Sequence, residues 1–226
     1  MIRILEPGAL TTVQDLGRPG HLRYGIPPSG PIDHMSFVTA NRLAGNPDGA
    51  AGLECTVLGP RFVAEAPCAI AVTGAAMPVT INGAEAAAWT TLILNQGDVV
   101  KLGPARAGLR AYVAFSGGLD VPSVLGSRST YVRGRLGGLD GRALRKDDRL
   151  ALLSAPLPPV RRARARAIPA FDDEPEIRVV LGPQADRFTD DGLRTFLGSA
   201  YEMLPDRKST RLNSSHSRAS RMPSSA

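Results

Sequence analysis

Residues 61–115 read RFVAEAPCAIAVTGAAMPVTINGAEAAAWTTLILNQGDVVKLGPARAGLRAYVAF, and this stretch decides the fold. Short segments rich in Val, Ile, Thr or aromatic residues alternate with turn residues, a pattern typical of β-strands. The dipeptide Asn82-Gly83 suits a type I′ hairpin. Because strand-like segments recur about every ten residues without a long helical period, we predict a mostly β domain, either a sandwich or a closed barrel. The predicted strands are 61–64, 69–73, 79–82, 90–94, 98–102 and 109–115.

The stretch before these strands, residues 11–46, reads TTVQDLGRPGHLRYGIPPSGPIDHMSFVTANRLAGN and holds five glycines and four prolines. Glycine permits backbone angles that other residues avoid, and proline fixes one angle, so we predict a shaped loop that presents polar side chains. A short helix follows, because Asp33 can cap its start and Gly45 with Pro47 can end it. The helix has one apolar face, formed by Phe37, Ala40, Leu43 and Ala44.

The composition limits the possible classes of protein. Of the 226 residues, 43% are hydrophobic, which is enough for a packed core. The net charge is +6, but four cations lie in residues 208–226, which contain no acid, and four arginines lie in residues 161–166. No aromatic residue lies between these arginines, which disfavours nucleic-acid binding. No apolar run approaches the roughly 20 residues of a membrane span, and the first residues do not resemble a secretory signal.

The cysteines and histidines give little indication of a functional site. Cys55 and Cys68 lie in apolar, β-like sequence and not at a metal-binding spacing. We expect buried free thiols, as in a reducing cytoplasm, with a disulfide as the alternative. His21 and His34 have no partner at metal-ligand spacing, so we predict no metal site.

A second region dense in glycine and polar residues covers positions 116–152. Within it, Ser127, Arg128, Ser129 and Thr130 follow Gly126. Backbone amides beside glycines, together with a guanidinium, can receive a carboxylate or a phosphate, and Arg128 is the best candidate for that role. The alternative is a hydrogen-bonded loop that braces the strands. A GxxxxGK[ST] phosphate loop is absent, and GSRST lacks the glycine of a nucleophile elbow.

Three acidic residues invite both a chemical and a structural interpretation. Asp15 lies three positions before Arg18, and such a pair could position a substrate amide, act as a base, or close the loop internally. Glu54 lies in a strand-like segment and could point into a cleft or toward solvent. Asp33 fits the role of helix cap best.

The chain divides by composition into a β domain over residues 1–153 and a linker over residues 154–176, which contains five prolines, a basic run and an acidic run. Residues 177–207 are predicted to begin a second domain that is too short to bury its own core. The Ser-rich residues 208–226 are predicted to be disordered. The predicted elements of the second domain are a strand at 177–181, a helix at 190–197 and a strand at 201–204.

Several motifs follow one order and spacing: TVQDLGRPG (12–20), SGPID (29–33), AN (40–41), LECTVLGP (53–60), AVTGA (71–75), GGLDVP (117–122), GSRST (126–130), GGLDGRAL (137–144) and GPQADRFT (182–189). In these motifs the chain resembles the family of 5-oxoprolinase C subunits, also described as the biotin-dependent carboxyltransferase or allophanate hydrolase subunit 2 family. The family includes an antagonist of a sporulation-kinase inhibitor. The resemblance covers residues 1–207.

The resemblance implies cyclophilin-like β-barrel domains, with the second barrel incomplete here. It also implies a component of an ATP-dependent 5-oxoprolinase, which opens 5-oxoproline to glutamate together with partners that resemble the A and B subunits of that enzyme. ATP is then the co-substrate of the complex. Two alternatives stay open: a biotin-dependent carboxyltransferase of the urea carboxylase type, and a regulatory protein that antagonises a kinase inhibitor similar to the B subunit.

The candidate site residues follow from the motifs and the polar segments together. We assign candidate catalytic roles to Asp15, Arg18 and Glu54. Candidate substrate contacts are Gln14, Asn41, Ser127, Arg128 and Thr130.

The chain also departs from the family pattern. Asp147-Asp148 replaces the usual Gly-Asp, and SGPID replaces a small residue and Met before the Asp. After Arg207, the sequence KSTRLN replaces the expected strand and resembles translated adapter sequence. We therefore expect the native gene to continue differently beyond codon 207, and we expect the present chain alone to be inactive.

Overall fold

The computed structural model describes residues 1–171 and 174–201. Most of the strand predicted at 201–204, and the disorder predicted at 208–226, fall outside the described residues. The chain divides into two compact units, residues 1–175 and residues 176–226. In the described part of the chain, no helix is long and apolar enough to cross a membrane.

The first unit is built from short strands and one α-helix, in the chain order β1 (Ile2–Glu6), β2 (Leu10–Gln14), α1 (His34–Leu43), β3 (Gly52–Thr56), β4 (Arg61–Ala64), β5 (Cys68–Gly74), β6 (Val79–Ile81), β7 (Ala84–Ala86), β8 (Thr91–Leu94), β9 (Val99–Leu102), β10 (Arg110–Phe115), β11 (Leu119–Asp120) and β12 (Arg149–Leu152). Sheet I has seven strands in the order β11-β12-β1-β4-β9-β6-β7. Sheet II has five, in the order β2-β3-β10-β5-β8. Neighbouring strands are antiparallel, and the mostly β fold is as predicted.

Each of the six strands predicted between residues 61 and 115 is confirmed, with its ends shifted by at most one residue. Asn82 and Gly83 have φ angles of 53° and 86°, as a type I′ turn between β6 and β7 requires. Three other predictions are wrong. Positions 11–14 belong to β2, because pairing with β3 outweighs the turn-rich sequence around them. Positions 121–125, where a helical turn was also predicted from the sequence, contain none, and positions 177–181 form no strand in the described structure.

The core lies between the two sheets. Alternate residues of β2 and β10, such as Val13 and Val113, face it from sheet II, and Ile4 faces it from sheet I. The rings of Phe62 and Phe115 meet edge to face across the core, with centroids 5.5 Å apart. Each fully buried side chain of this size stabilises the fold by about 1.5–3 kcal/mol.

Cys55 and Cys68 are both buried free thiols, as predicted. Burial raises the pKa of Cys55 to about 12 and also raises the pKa of Cys68. Neither thiol is therefore ionised at neutral pH, and both act as small apolar side chains in the core.

Helix α1 packs on the outer face of sheet II, opposite the core. Asp33 caps it as predicted, since its carboxylate accepts a hydrogen bond from Ser36 N at 3.0 Å. The ring of Phe37 meets Tyr112 of β10 edge to face, with centroids 5.9 Å apart. The predicted apolar face is buried in full and consists of Phe37, Ala40, Leu43 and Ala44.

Part of the predicted linker is hydrogen-bonded to the edge of sheet II. Thr91 N in β8 donates to Arg161 O at 2.8 Å, and Arg161 N donates to Thr91 Oγ1 at 3.0 Å. Ala163 N donates to Trp89 O at 2.9 Å. These bonds cover backbone groups of an edge strand that could otherwise pair with another chain.

The second unit contains α2 (Asp190–Gly198), which confirms the helix predicted at 190–197. The hydroxyl of Thr189 caps it by accepting a hydrogen bond from Gly192 N at 3.1 Å. A single 3-10 turn, Ala185–Arg187, precedes the helix in the described part of this unit.

Candidate functional site

The candidate site lies where two segments meet, residues 14–18 at the end of β2 and residues 127–130; we call this the polar junction. Thr130 donates to Val13 O from both its backbone N and its Oγ1, each at 2.9 Å. Further along the chain, Leu144 N donates to Thr11 O at 2.8 Å. Because β2 is an edge strand of sheet II, these bonds hold the later segment beside it and bring distant polar side chains together.

Asp15 lies at the centre of the polar junction. Its carboxylate accepts four hydrogen bonds: from Ser127 Oγ at 2.5 Å, Ser129 Oγ at 2.6 Å, Gly17 N at 2.9 Å and Arg128 N at 2.5 Å. Burial raises the pKa of Asp15, but the four donors together outweigh burial and hold that pKa below its ordinary value of 3.8. The carboxylate is therefore ionised at neutral pH and closes the loop internally.

Arg18 is buried, with 1% of its surface exposed. Its guanidinium donates from Nε to Val124 O at 3.2 Å, from Nη1 to Ser29 Oγ at 3.2 Å, and from Nη2 to Ser129 O. Burial lowers the pKa of Arg18, and the nearby charge of Asp15 raises it in part. The charges of the two residues therefore attract each other. The hydrogen bonds of Arg18 join the segments that contain Ser29, Val124 and Ser129.

Gln14 connects three segments. Its Nε2 donates to Thr12 Oγ1 at 3.0 Å and to Thr130 O at 3.3 Å, while its Oε1 accepts from Gly30 N at 3.2 Å. Gln14 and Thr130 are both buried. The polar atoms that were predicted to contact substrate are used within the protein at these two positions.

Arg128 differs from its neighbours in the polar junction because its side chain makes a single hydrogen bond within the described structure. Its Nε donates to Val121 O at 2.9 Å, and its backbone N is held by Asp15. Among the described residues, Nη1 and Nη2 of Arg128 have no hydrogen-bond partner, and the side chain is partly exposed. A guanidinium held in this way can bind a carboxylate through two parallel hydrogen bonds.

Glu54 lies in β3 beneath the segment that leads into α1, and it does not face solvent. Its Oε2 accepts from Tyr112 OH and from Ile32 N, each at 2.9 Å, and its Oε1 accepts from Arg110 Nη1 at 2.8 Å. The hydroxyl of Tyr112 also accepts from Asp33 N at 2.8 Å. Burial, followed by the charge of Glu54, raises the pKa of Tyr112, so the phenol remains a donor.

Sequence reasoning missed Tyr112 and Arg110 as partners of Glu54. The signal in the sequence is weak, because only two residues of β10 carry it: Arg110 and Tyr112 alternate with apolar residues and share the outer face of the strand. The register places Tyr112 directly opposite Glu54 in sheet II. Ser129, which binds both Asp15 and Arg18, was also not among the predicted site residues.

Asn41 lies outside the polar junction, in α1. Its Nδ2 donates to Asp48 O at 3.2 Å and to Ala50 O at 2.9 Å, and its Oδ1 accepts from Asn46 Nδ2 at 2.9 Å. These bonds close the loop between α1 and β3. The polar atoms of Asn41 that were predicted to contact substrate therefore bind within the protein.

The structure thus sorts the predicted site residues into separate groups. Glu54 and Asn41 each belong to a network of their own. Among the described residues, no group of three His, Cys, Asp or Glu side chains could hold a metal ion. The junction brings together Gln14, Asp15, Arg18, Ser127, Arg128 and Thr130.

Known proteins resemble this chain in sequence and in structure. The carboxyltransferase domain, subdomain A and B, matches residues 24–226. Urea amidolyase from Lachancea kluyveri is 36% identical over 214 residues, which cover 88% of this chain and 12% of that protein. The C subunit of 5-oxoprolinase from Escherichia coli (strain K12) is 38% identical over 154 residues, covering 67% of this chain and 49% of that protein. The crystal structure of K. lactis urea amidolyase matches with a TM-score of 0.82 and 37% identity, over 88% of this chain and 13% of that chain.

The chain therefore belongs to the family of the carboxyltransferase domain, subdomains A and B. It is a carboxyltransferase-family component with homologues among the 5-oxoprolinase C subunits and the urea amidolyases, as the sequence motifs indicated. The chain spans about half the length of the 5-oxoprolinase C subunits and a much smaller share of the urea amidolyases. Ser127–Thr130 lie within the matched range, whereas Asp15 and Arg18 precede it.

Proposed function

We propose that this chain acts as the C subunit of an ATP-dependent 5-oxoprolinase, which opens the lactam ring of 5-oxoproline to give glutamate. Partners similar to the A and B subunits complete the enzyme, and ATP is the co-substrate of the complex in a reducing cytoplasm. The 38% identity with the C subunit of E. coli 5-oxoprolinase supports this assignment.

The chemistry of the substrate explains what such a site needs. A lactam is a planar amide stabilised by resonance, so its opening is slow without activation, and coupling to ATP supplies the driving force. The substrate also carries a carboxylate that is not altered in the reaction. A fixed cation that binds this carboxylate would orient the ring for attack.

One geometric observation supports the proposal: within the described part of the chain, Nη1 and Nη2 of Arg128 have no hydrogen-bond partner. Asp15 fixes the backbone of Arg128 and Val121 O fixes its Nε, so the guanidinium plane has restricted freedom. Preorganisation of this kind lowers the entropic cost of binding an anion. Arg128 is therefore the proposed receptor for the substrate carboxylate, and Asp15 and Arg18 are positioning residues.

A second candidate function is a biotin-dependent carboxyltransferase step of the urea carboxylase type. The 36% identity over 214 residues with urea amidolyase favours this alternative. In that reaction Arg128 would bind the carboxylate of carboxybiotin. Both candidates therefore place an anionic group at the same side chain.

The two candidates are separated by assay of the assembled complex. The full-length gene would be co-expressed with the genes for the A-like and B-like subunits from the same genome. The complex would be incubated with ATP and 5-oxoproline, and in parallel with carboxybiotin and urea. We expect ATP-dependent release of glutamate. Transfer of the carboxyl group from biotin to urea without glutamate release would contradict the proposal and favour the second candidate.

A further inference from the structure

Two segments with left-handed backbone meet at Arg18. Each contains a non-glycine residue followed by glycine, and both members have positive φ. In the first segment Ser29 has φ 59° and Gly30 has φ 96°, and in the second, a tight turn, Leu125 has φ 53° and Gly126 has φ 78°. Arg18 binds the first segment through Ser29 Oγ and the second through Val124 O, each at 3.2 Å.

Leucine is an unusual choice at this backbone conformation. In the left-handed region its Cβ crowds the following carbonyl oxygen, a position that asparagine tolerates better. The chain itself provides the comparison, because the β6–β7 hairpin has the same φ of 53° and uses Asn82 there. The Leu125 turn is held by hydrogen bonds in both directions between Val124 and Ser127, at 2.8 and 3.2 Å.

Packing within the protein explains little of this choice, since 43% of the Leu125 surface is exposed. Strained backbone that is held by its surroundings and gains little from burial is found mostly at functional sites. Leu125 also lies three positions before Arg128, whose terminal nitrogens are free among the described residues. The turn therefore exposes an apolar side chain in the same short segment, 125–128, that carries the fixed cation.

We propose that Leu125 contacts the ligand and determines specificity, by packing against the methylene groups of a molecule whose carboxylate is bound by Arg128. This inference rests on the proposed function. The ligand class is a small cyclic amide or urea that carries a carboxylate and an apolar edge. Both 5-oxoproline and carboxybiotin have this chemistry, and the test must separate them.

The test uses the 226-residue chain and the variant Leu125→Asn. A matched control is Val57→Asn, because Val57 also has a left-handed φ, of 64°, and is 49% exposed, but lies in the turn after β3. Thermal midpoints and dissociation constants would be measured for each protein, with 5-oxoproline in one arm and carboxybiotin in the other. Both variants should keep or raise the midpoint, since asparagine relieves the backbone strain.

Only Leu125→Asn should weaken ligand binding, by at least fivefold. Weakened binding of 5-oxoproline supports both this inference and the proposed function. Weakened binding in the carboxybiotin arm alone supports the contact at Leu125 and contradicts the 5-oxoprolinase assignment. Unchanged affinity in Leu125→Asn, equal loss in both variants, or no binding of either ligand by the wild-type chain would overturn the inference.

Discussion

The carboxylate of Asp15 and the hydroxyl of Ser127, 112 positions apart in the sequence, are joined by a hydrogen bond of 2.5 Å. This bond and its neighbours fasten residues 127–130 to the edge of sheet II. They also fix the backbone from which Arg128 projects. The strength of this connection determines how well the proposed carboxylate receptor is oriented.

Replacing Asp15 by Asn should destabilise the first unit by about 2–4 kcal/mol. The amide nitrogen of Asn would face donors that now bind a carboxylate oxygen. Urea unfolding at pH 7 would measure the loss. The control is Asp140→Asn, because the side chain of Asp140 is 73% exposed and its change should fall within about 0.5 kcal/mol. Equal stability of wild-type and Asp15→Asn proteins would contradict the structural role.

The same carboxylate predicts a pH dependence. Because the pKa of Asp15 is lowered in the folded state, its contribution to stability is fully present above the ordinary value of 3.8 and is lost as pH falls through the lower folded value. Unfolding free energies of wild type and Asp15→Asn should therefore converge as pH falls below about 3.8. A difference in unfolding free energy between the two proteins that stays constant down to pH 2 would show that ionisation of Asp15 does not stabilise the fold.

Replacing Arg18 by Lys should lower the free energy of unfolding by about 2–4 kcal/mol, because one ammonium cannot reach Val124 O, Ser29 Oγ and Ser129 O together. The matched control is Arg61→Lys, whose side chain is 43% exposed and paired with Glu6. That surface pair should change stability by less than about 1 kcal/mol. Denaturant unfolding of both variants compares them directly, and similar losses of stability at the two positions would contradict the role of Arg18 in joining these three groups.

A coupled network is expected at Glu54 and Tyr112. Tyr112→Phe removes the donor to Glu54 and leaves Asp33 N without its acceptor, at a cost of about 1–3 kcal/mol. A double-mutant cycle with Glu54→Gln should give a coupling energy of about 0.5–3 kcal/mol. Additive losses would mean that the two side chains act independently in the folded protein.

The linker segment on β8 provides a prediction for proteolysis. Thr91→Val removes the hydroxyl that accepts from Arg161 N and donates to Leu43 O at 2.7 Å. Trypsin should then cleave within residues 161–166 several times faster, because local opening becomes easier. Thr39→Ala is the control, since its hydroxyl donates within α1, to Met35 O. Equal cleavage rates in both variants would contradict the anchoring role of Thr91.

Local signals made part of this structure predictable. Asn82-Gly83 and the Asp33 cap depend on residues close in sequence, and both occur as expected. The contact of Asp15 with Ser127 depends on which segment covers the edge of β2, and no local pattern encodes that choice. The pairing of Tyr112 with Glu54 depends in the same way on strand register. The sequence therefore identified polar residues that are candidates for a site. Only the fold shows which of these side chains are hydrogen-bonded within the protein and which have donors available for a ligand.

In the proposed function, the polar junction orients Arg128 to bind a substrate carboxylate. The most direct measurement is the steady-state kinetics of 5-oxoproline turnover by the assembled complex, with wild-type protein, Arg128→Ala and Arg128→Lys. We predict that Arg128→Ala lowers activity at least tenfold with an unchanged thermal midpoint. The KM of Arg128→Lys should lie between those of wild type and Arg128→Ala, since an ammonium binds the carboxylate but cannot form two parallel hydrogen bonds. Near wild-type turnover by Arg128→Ala would contradict the account and assign Arg128 to structure.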